Sequence, residues 1–316
     1  QAAYRTGSGE LTVKAVLKTT ILTLVLLLAS SLAVFAAIRL SGGDVTAARL
    51  PASATAEDRD LFRQQMGLDQ PILKQYFTYL GDMLTGDLGN SLTNNASISD
   101  LAVEKIKNSA ILGGMSLLLV FGIGIPLGMI ASLKRNSWLD TGITSFSVAG
   151  MAIPNFWLAL ILIHIFATTL GWLPSAGQGG LKYLILPSVV LAAEGIALTV
   201  RMTRSAMIEN LNQDFVRTLR AAGLSERRIY FKHVLRNSLL PIISLAGLRI
   251  GQIVGYALVV EVIFGWPGVG QVLVNGVLRR DYPVVQFFSL LLVFVVTMGN
   301  LAASVGYTLA NPRLRK

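Results

Sequence analysis

Long apolar runs dominate this chain, and charged or glycine-rich connections separate them. Six runs approach or exceed the roughly 20 residues that an α-helix needs to cross the hydrocarbon core of a bilayer. Each is predicted to be helical, because a helix satisfies its own backbone hydrogen bonds where the solvent offers none. The predicted spans are Val16–Ile38, Ser109–Leu133, Ile143–Leu170, Leu184–Val200, Leu240–Phe264 and Phe287–Leu309.

With Lys14 before it and Lys18 near its start, the first run shares a feature with secretory signal peptides. It is too long for the apolar core of a signal peptide, and no Ala-x-Ala-like cleavage site stands out from its surroundings. We therefore predict a retained first span.

Composition supports a multi-pass membrane protein. Of 316 residues, 53% are hydrophobic and 14% charged, whereas soluble domains carry about 25% charged residues. The chain has no cysteine, which excludes disulfides and thiolate ligands. His164 and His233 lie too far apart in the sequence for a short-spaced metal motif. We expect neither a metal nor a cofactor in this chain.

The distribution of charge predicts an orientation. Lys and Arg are in large excess in the N-terminal segment, in the connections after the second and fourth spans, and in the tail with Arg313, Arg315 and Lys316. In the other connections the basic and acidic residues balance. The positive-inside rule then places both termini in the cytoplasm.

Three regions follow from these spans. Residues 1–38 form the cytoplasmic N-terminus and first span, 39–107 an extracytoplasmic insertion, and 108–316 a core with a cytoplasmic coupling segment, 201–240. The insertion is too long for a simple connector. Helical composition at Thr55–Gln65 and Ile72–Leu84 predicts a small folded cap.

The coupling segment is the most basic part of the chain. We predict that the helix of the fourth span continues over Arg201–Ala222 and stops at Gly223 in a left-handed conformation. Ser225 is expected to cap a second helix, and Pro241 begins the fifth span. Small residues around Ala221–Ser225 would form a turn that a partner can approach closely.

Leu211, Phe215 and Leu219 recur every four residues and are expected to share the inner face of the first of these helices. A basic loop that is merely solvated, or one that binds anionic lipid, also fits the charge. Nucleic acid fits poorly, because no aromatic stacking platform accompanies the charge.

Ionisable residues in the spans are the next candidates, because a buried charge needs a cavity or a partner. Arg249 is predicted to face a pathway or to pair with Glu194, and a purely structural ion pair remains an alternative. Glu261 has three open roles: contact with a binding protein, an outer gate, or a local cap. His164 is expected to be a hydrogen-bonded interior residue. Pro154, inside the third run, permits a kink.

The coupling segment resembles a known signature. The pattern Asp214-Phe215-Val216-Arg217-Thr218, Gly223-Leu224-Ser225, His233, Arg236-Asn237 and Leu240-Pro241 is similar to that of binding-protein-dependent ABC importer permeases. Within them it resembles the first permease subunit of dipeptide, oligopeptide and nickel importers. Further matching stretches include Gly67-Leu68-Asp69-Gln70-Pro71, Ile153-Pro154-Asn155-Phe156-Trp157, Arg280-Asp281-Tyr282-Pro283 and Asn311-Pro312-Arg313.

This resemblance implies an all-α fold of six transmembrane helices, the type I importer permease fold, in a bacterial or archaeal plasma membrane. It implies a homologous second permease, two ABC ATPase subunits and an extracytoplasmic substrate-binding protein as partners. Its Glu-Ala-Ala-x-x-x-Gly motif docks on the ATPase, although Arg217 stands here in place of the Glu. The coupling residues carried over are Arg217, Thr218, Leu219, Arg220, Ala221, Ala222, Gly223, Leu224 and Ser225.

The expected function is permeation of short peptides driven by ATP. The chain lacks a G-x-x-x-x-G-K-[ST] phosphate loop, so we expect ATP and Mg²⁺ to be bound by partner subunits and not by this chain. Nickel chelates or other small solutes fit the same scaffold. An ion-coupled secondary transporter is disfavoured because no inverted repeat is evident, and a membrane enzyme because its catalytic groups are few.

Overall fold

A computed structural model describes the backbone of residues 2–40, 50–51, 53–65 and 67–310. Side chains are described from residue 20 to 301, apart from 40–49, 52, 66, 240, 243–248 and 250. The basic tail residues Arg313, Arg315 and Lys316 and the Asn311-Pro312-Arg313 stretch lie outside the described residues.

Most of the described residues are helical, and they include one isolated antiparallel bridge between Asn90 and Ser97. The α-helices are α1 (Ala2–Leu40), α2 (Ala56–Gln65), α3 (Ile72–Thr85), α4 (Ile98–Leu133), α5 (Trp138–Ala152), α6 (Asn155–Leu162), α7 (Leu181–Leu211), α8 (Asp214–Ala221), α9 (Glu226–Arg228), α10 (Leu235–Ile263), α11 (Val269–Arg279) and α12 (Tyr282–Ala310). Two π-helical stretches, π1 (Ile163–Thr169) and π2 (Ile229–Val234), follow α6 and α9.

Among the described residues, 4 helical segments are long and apolar enough to cross a membrane: Thr20–Arg39, α4, α7 and Tyr282–Leu301. A bent pair of helices brings the total to 5 if it is taken as one span. The predicted run Leu240–Phe264 lies largely in α10, which is 29 residues long. Within α10, the described side chains form an apolar helical stretch over Gly251–Ile263.

The third predicted span is not one helix. Residues Ile143–Leu170 are divided at Ile153-Pro154 between α5 and the α6–π1 segment, whose axes differ by 105°. Ile153 is extended, with φ −85° and ψ 119°, because the proline ring disfavours the helical conformation for the preceding residue. The prediction of a permitted kink at Pro154 therefore understated the break.

Two compact units make up the fold. The larger unit contains 110–266, and α7 is its central helix. In the most apolar stretch of α7, 61% of the residues are buried, whereas in that of α4 the share is 22%. A buried cluster joins residues of α4, α6, α7 and α10, among them Leu112, Ala159, Val190 and Val260.

Helices α4 and α7 approach each other through glycine. A Cβ atom on Gly124 would lie 2.7 Å from Cβ of Thr199, and one on Gly128 would lie 2.6 Å from Cβ of Thr203. Close backbone approach at small residues four positions apart is a common way for membrane helices to pack. A Cβ on Gly122 of the same helix would have none of the described residues within 4 Å.

The second unit contains the described residues of 14–109 and 267–297. The predicted helices of the insertion are present as α2 and α3. Tyr76 of α3 is buried, and its hydroxyl lies 2.9 Å from Ser31 Oγ of α1. The two hydroxyls thereby join α3 to the first span.

A buried carboxylate holds the loop before α4 in this unit. Asp281 is 2% exposed. It accepts hydrogen bonds from the hydroxyls of Ser91 and Thr93 and from the backbone N–H of Leu92 and Thr93. These bonds compensate the buried charge and join the loop to the corner between α11 and α12.

Candidate coupling site and intramembrane charges

The coupling segment contains one more break than predicted. Helix α7 ends at Leu211, where Asn212 N and Gln213 N bond to carbonyls three residues back, each at 3.2 Å. Gln213 is extended, with ψ 152°, and Asp214 lies in the first turn of α8. The predicted continuous helix Arg201–Ala222 is therefore wrong. The run Asn212-Gln213-Asp214 was the available signal, since Asn and Asp favour turns and helix starts over helix interiors.

Gly223 ends α8 as predicted. Its φ is +77°, a conformation that glycine adopts without a Cβ clash. Gly223 N donates to Arg220 O at 2.9 Å and Leu224 N to Leu219 O at 3.2 Å, which is the paired bonding of a Schellman motif. We call residues 217–225, which include this motif, the coupling turn.

Ser225 lies directly before α9 with an extended backbone (φ −64°, ψ 142°), but its side chain makes no capping hydrogen bond. The predicted side-chain cap is therefore wrong, although the helix begins where expected. The next helix is also less regular than predicted, because α9 passes into π2 before α10 begins.

Apolar side chains pack the coupling turn against neighbouring helices of the larger unit. Val216, Ile229 and Val234 are fully buried with Met207 of α7. Packed against them are Leu211, Phe215, Leu219, Leu224, Leu235 and Met129 of α4. The predicted inner face formed by Leu211, Phe215 and Leu219 is thus present despite the helix break. The coupling turn is thus joined to α7 and π2 through one close-packed core.

The opposite face of the coupling turn is exposed. Among its residues only Leu219 and Leu224 are partly buried, and the others are exposed. A Cβ on Gly223 would have no atom of the described residues within 4 Å. Phe231 of π2 is 50% exposed and was not identified from the sequence. The small residues and cations of the coupling turn form a surface that a protein partner can contact.

Arg217, which replaces the Glu of the family motif, extends into solvent. Its side chain is 80% exposed and lies 3.6 Å from Asp214 within α8. Exposed pairs of this kind contribute little to stability. Arg217 is therefore a solvent-facing cation in this chain.

An ion pair crosses the coupling turn. Arg220 Nε lies 2.7 Å from Glu226 Oε1, and Arg220 Nη2 lies 3.1 Å from Oε2. This bidentate bond holds the pKa of Glu226 below its ordinary value and raises the pKa of Arg220. It joins the end of α8 to the start of α9 on either side of Gly223, an arrangement that sequence spacing did not reveal.

A second bidentate pair was also missed. Arg204 of α7 donates to Asp140 of α5 through Nε at 2.6 Å and Nη2 at 2.8 Å. Asp140 also accepts from Asn136 N at 3.0 Å and is 4% exposed. The pair fixes the connection between α4 and α5 to α7, seven residues before α7 ends.

The structure brings Glu194 and Arg249 together. Both terminal nitrogens of Arg249 lie 3.4 Å from Glu194 Oε1. Arg249 is 3% exposed, and its Nε has no hydrogen-bond partner among the described residues. One carboxylate oxygen thus faces two guanidinium nitrogens at long distance, which leaves part of the hydrogen-bonding capacity of Arg249 unused.

Glu261 and His164 are not part of this pair. Glu261 is 1% exposed near the end of α10, and its carbonyl accepts from Trp266 N at 2.8 Å. His164 lies in π1. Among the described residues, no group of three or more His, Asp or Glu side chains is placed to hold a metal ion.

The fold defines the class of protein. Two solved structures of the MetNI methionine ABC transporter in inward-facing conformations, a native crystal form and a SeMet soak, resemble it with TM-scores of 0.57 each, at 20% and 21% identity. The match covers 68% of this chain and 98% of the first neighbour, and 67% and 96% for the second. At this identity the likeness shows the fold alone, that of an ABC importer permease.

Sequence identifies the family. Residues 124–316 match the family described as "Binding-protein-dependent transport system inner membrane component", and the chain belongs to it. It is accordingly a multi-pass permease component of the inner membrane, of the kind that works with an ATPase and a binding protein.

Curated relatives cover nearly the whole chain. The oligopeptide transport system permease protein AppB of Bacillus subtilis is 37% identical over 95% of this chain and 98% of its own length. The di/tripeptide permease DppB of Pseudomonas aeruginosa is 37% identical over 90% and 94%. The glutathione permease GsiC of Escherichia coli is 36% identical over 90% and 93%.

Proposed function

We propose that this chain is one of two homologous permease subunits of an ATP-driven importer of short peptides. Two ATPase subunits bind on the cytoplasmic side and hydrolyse ATP, and an extracytoplasmic binding protein delivers the peptide. The names of the relatives, which transport oligopeptides, di- and tripeptides or glutathione, support this cargo.

Six transmembrane spans with both termini in the cytoplasm are part of the proposal. The bent α5 and α6–π1 pair serves as the third span, and α10 as the fifth. The insertion 39–107 then lies outside and the coupling segment 201–240 inside. The excess of Lys and Arg in the connections assigned to the cytoplasm supports this orientation.

The coupling turn carries the proposal. It exposes small residues on one side and is joined by buried side chains to α7 on the other. An ATPase that closes on bound ATP and Mg²⁺ displaces the exposed side, and the buried side transmits the displacement to α7 and, through π2, to α10. This chain contributes transmission and the partner contributes hydrolysis.

Glu194 and Arg249 connect the same two helices. They lie on α7 and α10, so a relative movement of these helices changes their distance of 3.4 Å. We propose that this ion pair separates when the translocation pathway changes conformation. Arg249 is then available to bind an anionic group. Glu261, buried near the outer end of α10, remains a candidate for the outer gate.

Substitution at Ala222 tests the docking role without backbone strain, because Ala222 is exposed and has a φ of −77°. Ala222→Trp is expected to abolish co-purification of the ATPase subunits and ATP-driven peptide uptake. The bulky ring fills the space that the partner needs, while the permease remains folded.

Two controls separate docking from strain. Gly223→Trp adds strain to the steric block and should behave like Ala222→Trp. Gly86→Trp carries similar strain, since Gly86 has φ +85° with nothing within 4 Å of a Cβ, but it lies in the insertion and should retain the ATPase subunits. Normal ATPase binding and uptake by Ala222→Trp would exclude the coupling turn as the docking site.

A further inference from the structure

A cavity in the second unit has no role in the coupling described above. It has a volume of about 510 Å³, within the range of small-molecule sites. Its lining comes from the end of α1, the α2–α3 connection, α3 with the turn after it, and the start of α12. Arg39, Gln75, Tyr79 and Gln286 are less exposed than the residues at its rim.

Two glutamine side chains in this lining have unused hydrogen-bonding atoms. Gln286 is 5% exposed, and its Nε2 has no partner among the described residues. Gln75 Nε2 donates to the carbonyls of Leu68 at 3.2 Å and Gln70 at 2.7 Å, while its buried Oε1 has no partner there. Buried polar atoms are normally hydrogen-bonded, so these two lining residues leave a donor and an acceptor unused beside the cavity.

Arg39 supplies a cation in the same lining. Its guanidinium carbon lies 5.1 Å from the ring centroid of Phe35 and 5.5 Å from that of Tyr282. Among the described residues, its buried Nε has no hydrogen-bond partner and no carboxylate forms an ion pair with it. The aromatic rings stabilise the cation through their faces. The in-plane N–H groups of a guanidinium suit a planar anion such as a carboxylate.

The rim of the cavity is mostly acidic, opposite in charge to Arg39. Asp82 and Asp87 are exposed residues of the lining, together with Lys74. One oxygen of Asp87 accepts from Gly89 N at 3.0 Å. A ligand with an anionic end inside and a cationic end at the rim satisfies both groups, whereas a dianion would be repelled by the two carboxylates.

We propose that this cavity binds the terminal carboxylate of a short zwitterionic peptide at Arg39 and Gln286, with the ammonium group toward Asp82 and Asp87. The site lies in the region that we place outside the membrane, and it would hold cargo there. The choice of a peptide rests on the proposed function. A phospholipid headgroup that contains an ammonium group has the same chemistry, and the experiment distinguishes the two sources.

The test uses the assembled transporter in phosphatidylcholine nanodiscs, without binding protein or nucleotide, and measures binding of trialanine and of trialanine amide by calorimetry. Trialanine is expected to bind at least ten times more tightly than the amide. Arg39→Gln and Gln286→Leu should each weaken trialanine binding at least tenfold. The control Arg63→Gln, at an exposed arginine of α2, should leave it unchanged.

Folding is checked by co-purification of the ATPase subunits with each variant. Arg39→Lys provides a milder change, because it keeps the charge and loses the planar fork, and it should fall between wild type and Arg39→Gln. Equal binding of trialanine and its amide, or unchanged binding in both Arg39→Gln and Gln286→Leu, would overturn the proposal.

Further outcomes decide whether the ligand is a peptide or a lipid headgroup, and they separate failure of this site from failure of the proposed function. If phosphatidylethanolamine co-purifies with wild type and not with Arg39→Gln, and trialanine does not bind, the cavity holds a lipid headgroup and the peptide site is overturned. Peptide uptake by a transporter whose cavity binds no trialanine would overturn only this site. Absence of ATP-driven peptide uptake by the wild type would overturn the proposed function.

Discussion

At the scale of single residues, charged groups organise the coupling segment in pairs. Arg220 and Glu226 join the two sides of the coupling turn, and Arg204 and Asp140 join α7 to α5. Sequence alone indicated that these residues are charged and where they cluster. It could not reveal the pairs, because residues 64 positions apart, such as Arg204 and Asp140, are brought together only by helix packing.

The Arg220–Glu226 pair predicts a measurable shift. Because the pair lowers the pKa of Glu226, its contribution to the stability of the turn is present above the ordinary pKa of glutamate and is lost as pH falls through the lowered value. In the purified chain with ¹³Cδ-labelled glutamate, the Glu226 carboxyl should titrate below the ordinary range. In Arg220→Gln its midpoint should move up.

The Glu226 resonance is assigned by its absence in Glu226→Gln. Arg217→Gln serves as a matched control, because Arg217 is a nearby exposed arginine that pairs with Asp214 and not with Glu226. Identical midpoints in wild type and Arg220→Gln would show that the pair does not persist in solution.

At the scale of helices, the hydropathy pattern predicted that helices exist in these stretches, but it did not predict where they are interrupted. Breaks at Ile153-Pro154 and Asn212-Gln213 divide two stretches that read as single helices. Pro154 indicated the first break. The angle of 105° between the two helices, however, depends on how α5 and α6 pack on either side of it. The second was marked only by a short polar run, which a helix can also contain when it is exposed.

Contact between α4 and α7 gives the prediction at this scale. Gly128→Ala should destabilise the chain by about 1–3 kcal/mol, the usual cost of overfilling a packed core. The new Cβ would lie 2.6 Å from both Thr203 Cβ and the Val200 carbonyl oxygen, and a backbone atom cannot rotate away. Thermal unfolding in detergent measures the change.

Gly122→Ala is the matched control on the same helix. No atom of the residues that the structure describes lies within 4 Å of its Cβ position, and alanine favours the helix by up to about 1 kcal/mol over glycine. This variant should therefore be neutral or stabilising. Destabilisation of equal size in both variants would show that the α4–α7 contact is looser than the structure indicates.

At the scale of the whole molecule, the resemblance identified from short motifs agrees with the family match and with relatives at 36–37% identity. The class of protein was therefore available from sequence. The cavity residues with unused hydrogen-bonding atoms could not be identified from sequence. Arg39, Gln75 and Gln286 lie in three separate segments and belong to no motif.

The central claim is that an ATPase subunit contacts the coupling turn, and the absence of cysteine in the chain allows a direct measurement. Ala222→Cys, in the assembled transporter treated with a short thiol-to-amine cross-linker, should give a covalent product with the ATPase subunit. Phe77→Cys, at a residue of α3 that is 68% exposed, should give none. A cross-link from Phe77→Cys and not from Ala222→Cys, or none from Ala222→Cys in a transporter that still hydrolyses ATP during uptake, would contradict the account.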